Sequence, residues 1–172
     1  MQLGLGLSNS TEPLKAVKEA VSKAFSNLGR DTISLGLIFS EASLESALVL
    51  KACKEVIADT PLLGISAESI ISKTGLSDKR IAIVLFSFSD QIYFNTACVK
   101  DINKNNAFAL GEKLGEDLLY GCKSIRRNLS IIFSDAYTPD AQSVTLGLQE
   151  RVGRAFPIIG AFVYKDNSKT NV

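Results

Sequence analysis

Apolar positions along this chain fall into short, nearly continuous runs, separated by segments in which they recur at three- and four-residue steps. The first kind of pattern predicts strands and the second predicts amphipathic helices. Leu3, Leu5 and Leu7 alternate with glycines and predict a short opening strand that ends at Ser8-Asn9-Ser10. Leu14, Val17, Val21, Ala24, Phe25 and Leu28 then mark a helix, with Thr11 as its expected cap, Pro13 near its start and Gly29 as its left-handed stop. Ile33 to Phe39 reads as a strand covered on both faces. A helix from about Ser43 to Ala58 buries Leu44, Ala47, Leu48, Ala52, Val56 and Ile57, and a strand follows at Leu62 to Ile65.

After a polar connection over 67–79, with turn signals at Gly75 and Ser77-Asp78, two further runs stand on either side of Ser89-Asp90. Arg80 to Phe88 and Gln91 to Val99 are expected to form a hairpin. A helix over about 105–120, a strand at 129–133, a helix opened by Thr138-Pro139-Asp140 and a last strand at 157–163 complete the pattern. Two landmarks recur in order. Ile38-Phe39-Ser40 and Pro61-Leu62-Leu63-Gly64 in the first half are matched by Ile132-Phe133-Ser134 and Pro157-Ile158-Ile159-Gly160 in the second. The fold class expected is α/β, with mixed sheets covered by helices. It is read as two related β-α-β-α-β units at about 3–66 and 91–163, joined through an extra hairpin strand at 80–88.

A length of 172 residues suits a single domain over the whole chain, 1–172, and 46% hydrophobic with 22% charged residues is an ordinary globular balance. A formal net charge of +1 leaves no electrostatic footprint for nucleic acid. No apolar stretch reaches the roughly 20 residues of a membrane span. Met1-Gln2-Leu3 has neither the basic start nor the apolar core of a secretory signal, so a cytoplasmic protein is expected. The cysteines, Cys53, Cys98 and Cys122, are widely spaced and suggest neither disulfides nor a metal site. The chain contains no histidine. The commonest general base and the commonest metal and haem ligand are therefore missing, and the expectation is a protein that is not an enzyme and carries no cofactor.

In an open α/β sheet, ligands settle outside the carboxyl ends of the strands. Those ends are Ser8-Asn9-Ser10, Ser40-Glu41, Ser66-Ala67-Glu68, Ser134-Asp135 and Tyr164-Lys165-Asp166. Hydroxyls beside helix starts suit a carboxylate or another small anion; the plainer alternative is that they only cap helices or build turns. The candidate ligand-binding residues are Ser8, Asn9, Ser40, Ser66, Ser134 and Asp135, with Asp135 as the partner of an amino group. Gly4 and Gly6 are better explained by close packing than by a dinucleotide site, since no third glycine follows. Lys123, Arg126 and Arg127 read as a solvated turn, and the polar tail from Lys165 reads as loose.

These landmarks resemble the N-terminal sensory domain of the FIST family, named for F-box and intracellular signal transduction proteins. The residues that carry the resemblance are Gly4-Leu5-Gly6-Leu7-Ser8-Asn9-Ser10, then Pro13, Ala16 and Ala20, Ile38-Phe39-Ser40, Pro61 to Ser66 and Pro157-Ile158-Ile159-Gly160-Ala161. The resemblance implies a domain of a signal transduction protein that senses small polar molecules, amino acids among those proposed. It also implies a C-terminal FIST region or a signalling output module as partner. The alternative is a protein–protein interaction module with no ligand of its own.

Overall fold

A computed structural model describes residues 1–30, 32–72, 75–77, 80–88, 92–120, 128–135 and 138–163. The chain divides into two compact units, Met1–Gln91 with Tyr164–Val172, and Ile92–Val163. Each is an α/β arrangement in its own right.

The first unit is built on a four-stranded sheet in the order β1-β6-β2-β3. Its strands are β1 (Gln2–Ser8), β2 (Leu35–Glu41), β3 (Leu62–Ala67) and β6 (Ile81–Ser87). β2 and β3 run parallel, as a crossover through α2 (Ser46–Val56) requires, while β6 runs antiparallel to both β1 and β2. The sheet is therefore mixed, with three strands pointing one way and the central β6 opposed. β6 earns that position by composition: Ile81, Ile83 and Leu85 are fully buried, each worth roughly 1.5–3 kcal/mol of transfer free energy. The connection expected to be irregular contains two short strands, β4 (Ile70–Ser72) and β5 (Gly75–Ser77), paired antiparallel with Ile70 opposite Ser77.

Helix α1 (Pro13–Leu28) starts with Pro13 in its first turn and ends at Gly29, whose φ of 66° is the left-handed stop expected. Thr11 does not cap it. Glu12 occupies that position without a side-chain bond, and the Ser10 hydroxyl accepts from the Glu12 N–H at 3.2 Å instead. The helix buries Ala16, Val17, Ala20, Val21, Ala24 and Leu28 against the sheet. Its approach to β1 is unusually close. A Cβ on Gly4 would lie 1.9 Å from the Ala24 carbonyl oxygen, and one on Gly6 would lie 1.8 Å from that of Ala20. The Gly4/Gly6 pair is thus a seat for a helix backbone, as the missing third glycine suggests. At this separation the Lys23 ammonium reaches the Leu7 carbonyl (3.0 Å) and the Asn27 side-chain amide reaches the Leu5 carbonyl (2.9 Å). Ile38, Ile57, Cys53 and Ala52 join the same core from β2 and α2.

The second unit contains α3 (Ala107–Leu119), β7 (Ser130–Asp135), α4 (Ala141–Val152) and β8 (Ile158–Val163). β7 and β8 pair in parallel with α4 as their crossover. The two helices meet through glycines: a Cβ on Gly111 would fall 2.1 Å from the Val144 oxygen, and one on Gly147 would fall 2.1 Å from the Phe108 oxygen. Arg151 on α4 bridges Glu112 (2.9 Å) and Glu116 (3.2 Å) of α3. Asp140 caps α4 from a left-handed backbone (φ 54°), accepting from the Ser143 N–H at 3.2 Å.

The hairpin expected between 80–88 and 91–99 does not form. β6 inserts between β1 and β2, and the described residues 92–99 belong to no strand. Their polar members account for the difference. The Asn95 amide donates to the carbonyls of Asp117 (2.9 Å), Leu118 (3.3 Å) and Tyr120 (3.1 Å), so this segment ties off the carboxyl end of α3, while Ala97 and Val99 pack on the core of the unit. Among its described residues the second unit shows no leading strand of a β-α-β-α-β copy, and a duplication is not established. The matching tetrads also differ in packing: a Cβ at Gly64 would make only ordinary contact with Ile38 (3.6 Å), whereas one at Gly160 would meet the Ile132 oxygen at 1.8 Å.

Gly6→Ala is expected to cost about 2 kcal/mol or more, since a rigid helix backbone must move. Gly64→Ala is expected to be neutral or mildly stabilising, because alanine loses less chain entropy in a strand. Urea unfolding of the two variants checks this, and equal costs would contradict the α1–β1 packing.

Candidate functional site

Three of the expected site residues fall in one register row of the first unit. Ser8 lies opposite Ile81, Ile81 lies opposite Ser40 across its other edge, and Ser40 lies beside Ser66. Strand alternation turns this row toward the face that carries the helices, since Gly6, Ile38 and Ile83 of the same face pack in the α1–α2 core or beneath α1. Ser8 and Ser40 are buried, at 1% and 4% exposure. Asn9, the residue after the end of β1, is exposed.

The hydroxyls of the row are used differently. Ser8 donates to the Glu19 carboxylate of α1 at 2.5 Å and accepts from the Ser10 N–H at 3.2 Å. Ser66 exchanges a hydrogen bond with Ser46, the first residue of α2, at 3.0 Å. For these two residues the capping and turn-building alternative describes what the side chains do. Ser40, between them, has a hydroxyl with no hydrogen-bond partner among the described residues. α2 starts above the same end of the sheet with Glu45 at its cap position and no side-chain bond to its first N–H groups. No side-chain polar atom that is itself buried is left without a partner among the described residues, so the free Ser40 hydroxyl keeps access to solvent. With the uncapped N–H groups at the start of α2 it offers a donor set suited to a small anion or a carboxylate.

A residue outside the expected set reaches this end as well. Because β6 runs antiparallel, its amino end lies beside the carboxyl ends of β1 and β2. Arg80 donates its N–H to the Ser8 carbonyl (2.9 Å) and accepts from the Glu41 N–H (2.6 Å). Its guanidinium holds the Glu41 carboxylate at 2.9 Å and the Ser43 hydroxyl at 3.0 Å. Both side chains are about one-third exposed (34% and 32%), so the pair contributes at most about 1 kcal/mol. Only the orientation of β6 could have drawn attention to Arg80, and hydrophobic pattern does not encode strand direction. Glu19 was missed for a related reason: it is one of several charges on α1, and only the partner it meets distinguishes it.

Ser134 and Asp135 close β7 in the second unit, away from the row in sequence and in sheet. Ser134 bonds the Thr138 hydroxyl at 2.7 Å, and the Asp135 carbonyl accepts from the Thr138 N–H at 2.9 Å, which forms the turn into α4. The last strand end, Tyr164-Lys165-Asp166, lies outside the described residues, as do Cys122, the Lys123, Arg126 and Arg127 cluster and the tail. Among the described residues no cluster of three Cys, Asp or Glu side chains could hold a metal ion, and no helix is long and apolar enough to cross a membrane.

A family model described as the FIST N domain matches residues 34–171. The match runs from β2 through β8, and the opening strand and α1 lie ahead of it. Searches among curated proteins and among solved structures return no match.

Burial pushes the Cys53 thiol up to about 11, so roughly one molecule in a thousand carries its thiolate at pH 8. Iodoacetamide at that pH is expected to label exposed Cys98 and to spare Cys53 until the chain unfolds. Peptide mapping by mass spectrometry reads both sites, and early labelling of Cys53 would contradict the α1–α2 core.

Proposed function

The chain belongs to the FIST family, sensory domains of signalling proteins, and from that premise we propose that it is a non-catalytic sensor of a small polar molecule. The ligand's carboxylate or equivalent anion takes the hydroxyl of Ser40 and the first N–H groups of α2, at the carboxyl ends of β1, β2 and β3. Ser8, Asn9 and Ser66 border that position, and Arg80 adds a fixed positive charge at the rim. Amino acids and similar compounds are the class proposed, with Glu19, already held by Ser8 in this unit, as the partner of an amino group. The observation that carries the reading is the Ser40 hydroxyl, solvent-accessible and without a partner among the described residues, in a row whose other serines are satisfied.

Binding transmits a signal only through a difference in affinity between two states of the domain, typically about 1–3 kcal/mol. The receiver proposed is a C-terminal FIST region or an output partner inside the cell. A second reading, an interaction module, draws support from apolar residues on strand faces: Leu3 and Leu5 on β1, and the register pair Ile131 and Ile159, are all 42–54% exposed.

Thermal-shift screening against amino acids and small carboxylates tests the reading. A ligand at 100 times its dissociation constant is expected to stabilise the fold by about 2.7 kcal/mol. Ser40→Ala is expected to leave the unliganded stability within about 0.5 kcal/mol, as no bond is lost, and to weaken the ligand by roughly 2–10-fold. A flat response across the panel, or a Ser40→Ala variant that binds as well as the parent, refutes it.

A further inference from the structure

A cavity lies in the first unit between α1, the end of α2 and the segment ahead of β2. It occupies about 440 Å³, within the roughly 300–1,000 Å³ common for small-ligand sites. Its apolar floor is Val21 and Phe25 of α1, Ile33 ahead of β2, and Val56 with Ile57 at the end of α2. Val21 and Ile57 are nearly buried, whereas Phe25 leaves 39% of its surface exposed. The α1 lip of the cavity carries Lys18, Ser22 and Ser26. These three are spaced four residues apart and therefore form one line of donors along the helix, about 12 Å long. Among the described residues that line the cavity there is no carboxylate, and the Lys18 ammonium has no ion pair or hydrogen bond among the described residues.

We propose that this groove binds an amphiphilic monocarboxylate, its carboxylate on Lys18 and its alkyl or aryl body on the apolar floor. Charge fixes the direction in which the ligand lies. Phe25, Ser26, Val56 and Ile57 belong to the carboxyl-terminal ends of α1 and α2, where unpaired carbonyls and the helix dipole repel an anion. Lys18 lies two turns back along α1, clear of that repulsion. A headgroup at Lys18 with a tail running toward Phe25 and Val56 satisfies both constraints. The line of hydroxyls accommodates the carboxylate oxygens at the near end, and the floor buries the tail. A cation of the same length would meet Lys18 with like charge and finds no carboxylate among the described lining residues. The site is independent of the strand-end reading, since none of its residues belongs to the serine row.

Calorimetric titration of the whole chain with sodium octanoate is the test, with octylammonium as the same-length cation. Octanoate is expected to bind saturably at one site, and octylammonium is expected to bind at least tenfold more weakly. Lys18→Gln should weaken octanoate by about fivefold, in line with a solvent-exposed ion pair, and Val56→Trp, which fills the groove, should abolish binding. Both positions lie at the surface or partly exposed, and circular dichroism confirms that each variant is folded; should Val56→Trp unfold, Phe25→Ser serves in its place. Failure of octanoate to bind, equal affinity for octylammonium, or unchanged affinity in Lys18→Gln overturns the proposal.

Discussion

The antiparallel insertion of β6 between β1 and β2 is the constraint on which the first unit depends. Three of its residues, Ile81, Ile83 and Leu85, are wholly removed from solvent, and among the described residues β1 pairs with β6 alone. The same insertion decides what stands at the strand-end rim of the sheet. In a purely parallel arrangement that rim would contain strand carboxyl ends only. Reversal of one strand brings an amino end among them, and with it Arg80, locked by backbone bonds to Ser8 and Glu41 on either side. The geometry of the candidate site is thus a consequence of topology as much as of the serines themselves.

The two sites proposed in this unit, one at the strand ends and one between the helices, differ in their physical character. At the strand ends, polar groups are concentrated and mostly satisfied, and Ser40 alone is left over among the described residues of the row. Between the helices the surface is apolar with a single lip of donors. As proposed, polar recognition and apolar recognition are separated, and two such sites would reject different competitors.

Much of the first unit was legible in the chain. Alternating leucines and glycines gave β1, the three-four spacing from Leu14 to Leu28 gave α1, and Gly29 gave its end, because each feature is set by neighbours in sequence. The seat of α1 on Gly4 and Gly6 was also foreseen as packing. Strand order and direction were not legible. Ile81 to Ser87 is apolar enough to be central, but nothing local states which strands it separates or which way it runs. The segment after it misled for a different reason. Residues 92–99 have the composition of a half-buried strand, yet Asn95 finds three carbonyls at the end of α3, and a side chain that satisfies a helix end outweighs a weak strand pattern. Of the candidate residues, Ser8, Asn9, Ser40 and Ser66 share one end of one sheet. Ser134 and Asp135 were chosen by the same rule but belong to a turn in the other unit.

The bonds from Lys23 and Asn27 to the outward carbonyls of β1 have a consequence for self-association. An outer strand with unsatisfied carbonyls invites a passing extended peptide to continue the ladder, and fibrous aggregates grow by that route. Here two side chains borrowed from the covering helix occupy the acceptors that an incoming strand would need. On its β1 side the sheet is thereby guarded against recruitment of another chain, at no expense beyond two polar residues on a helix already held in place by its glycine seat.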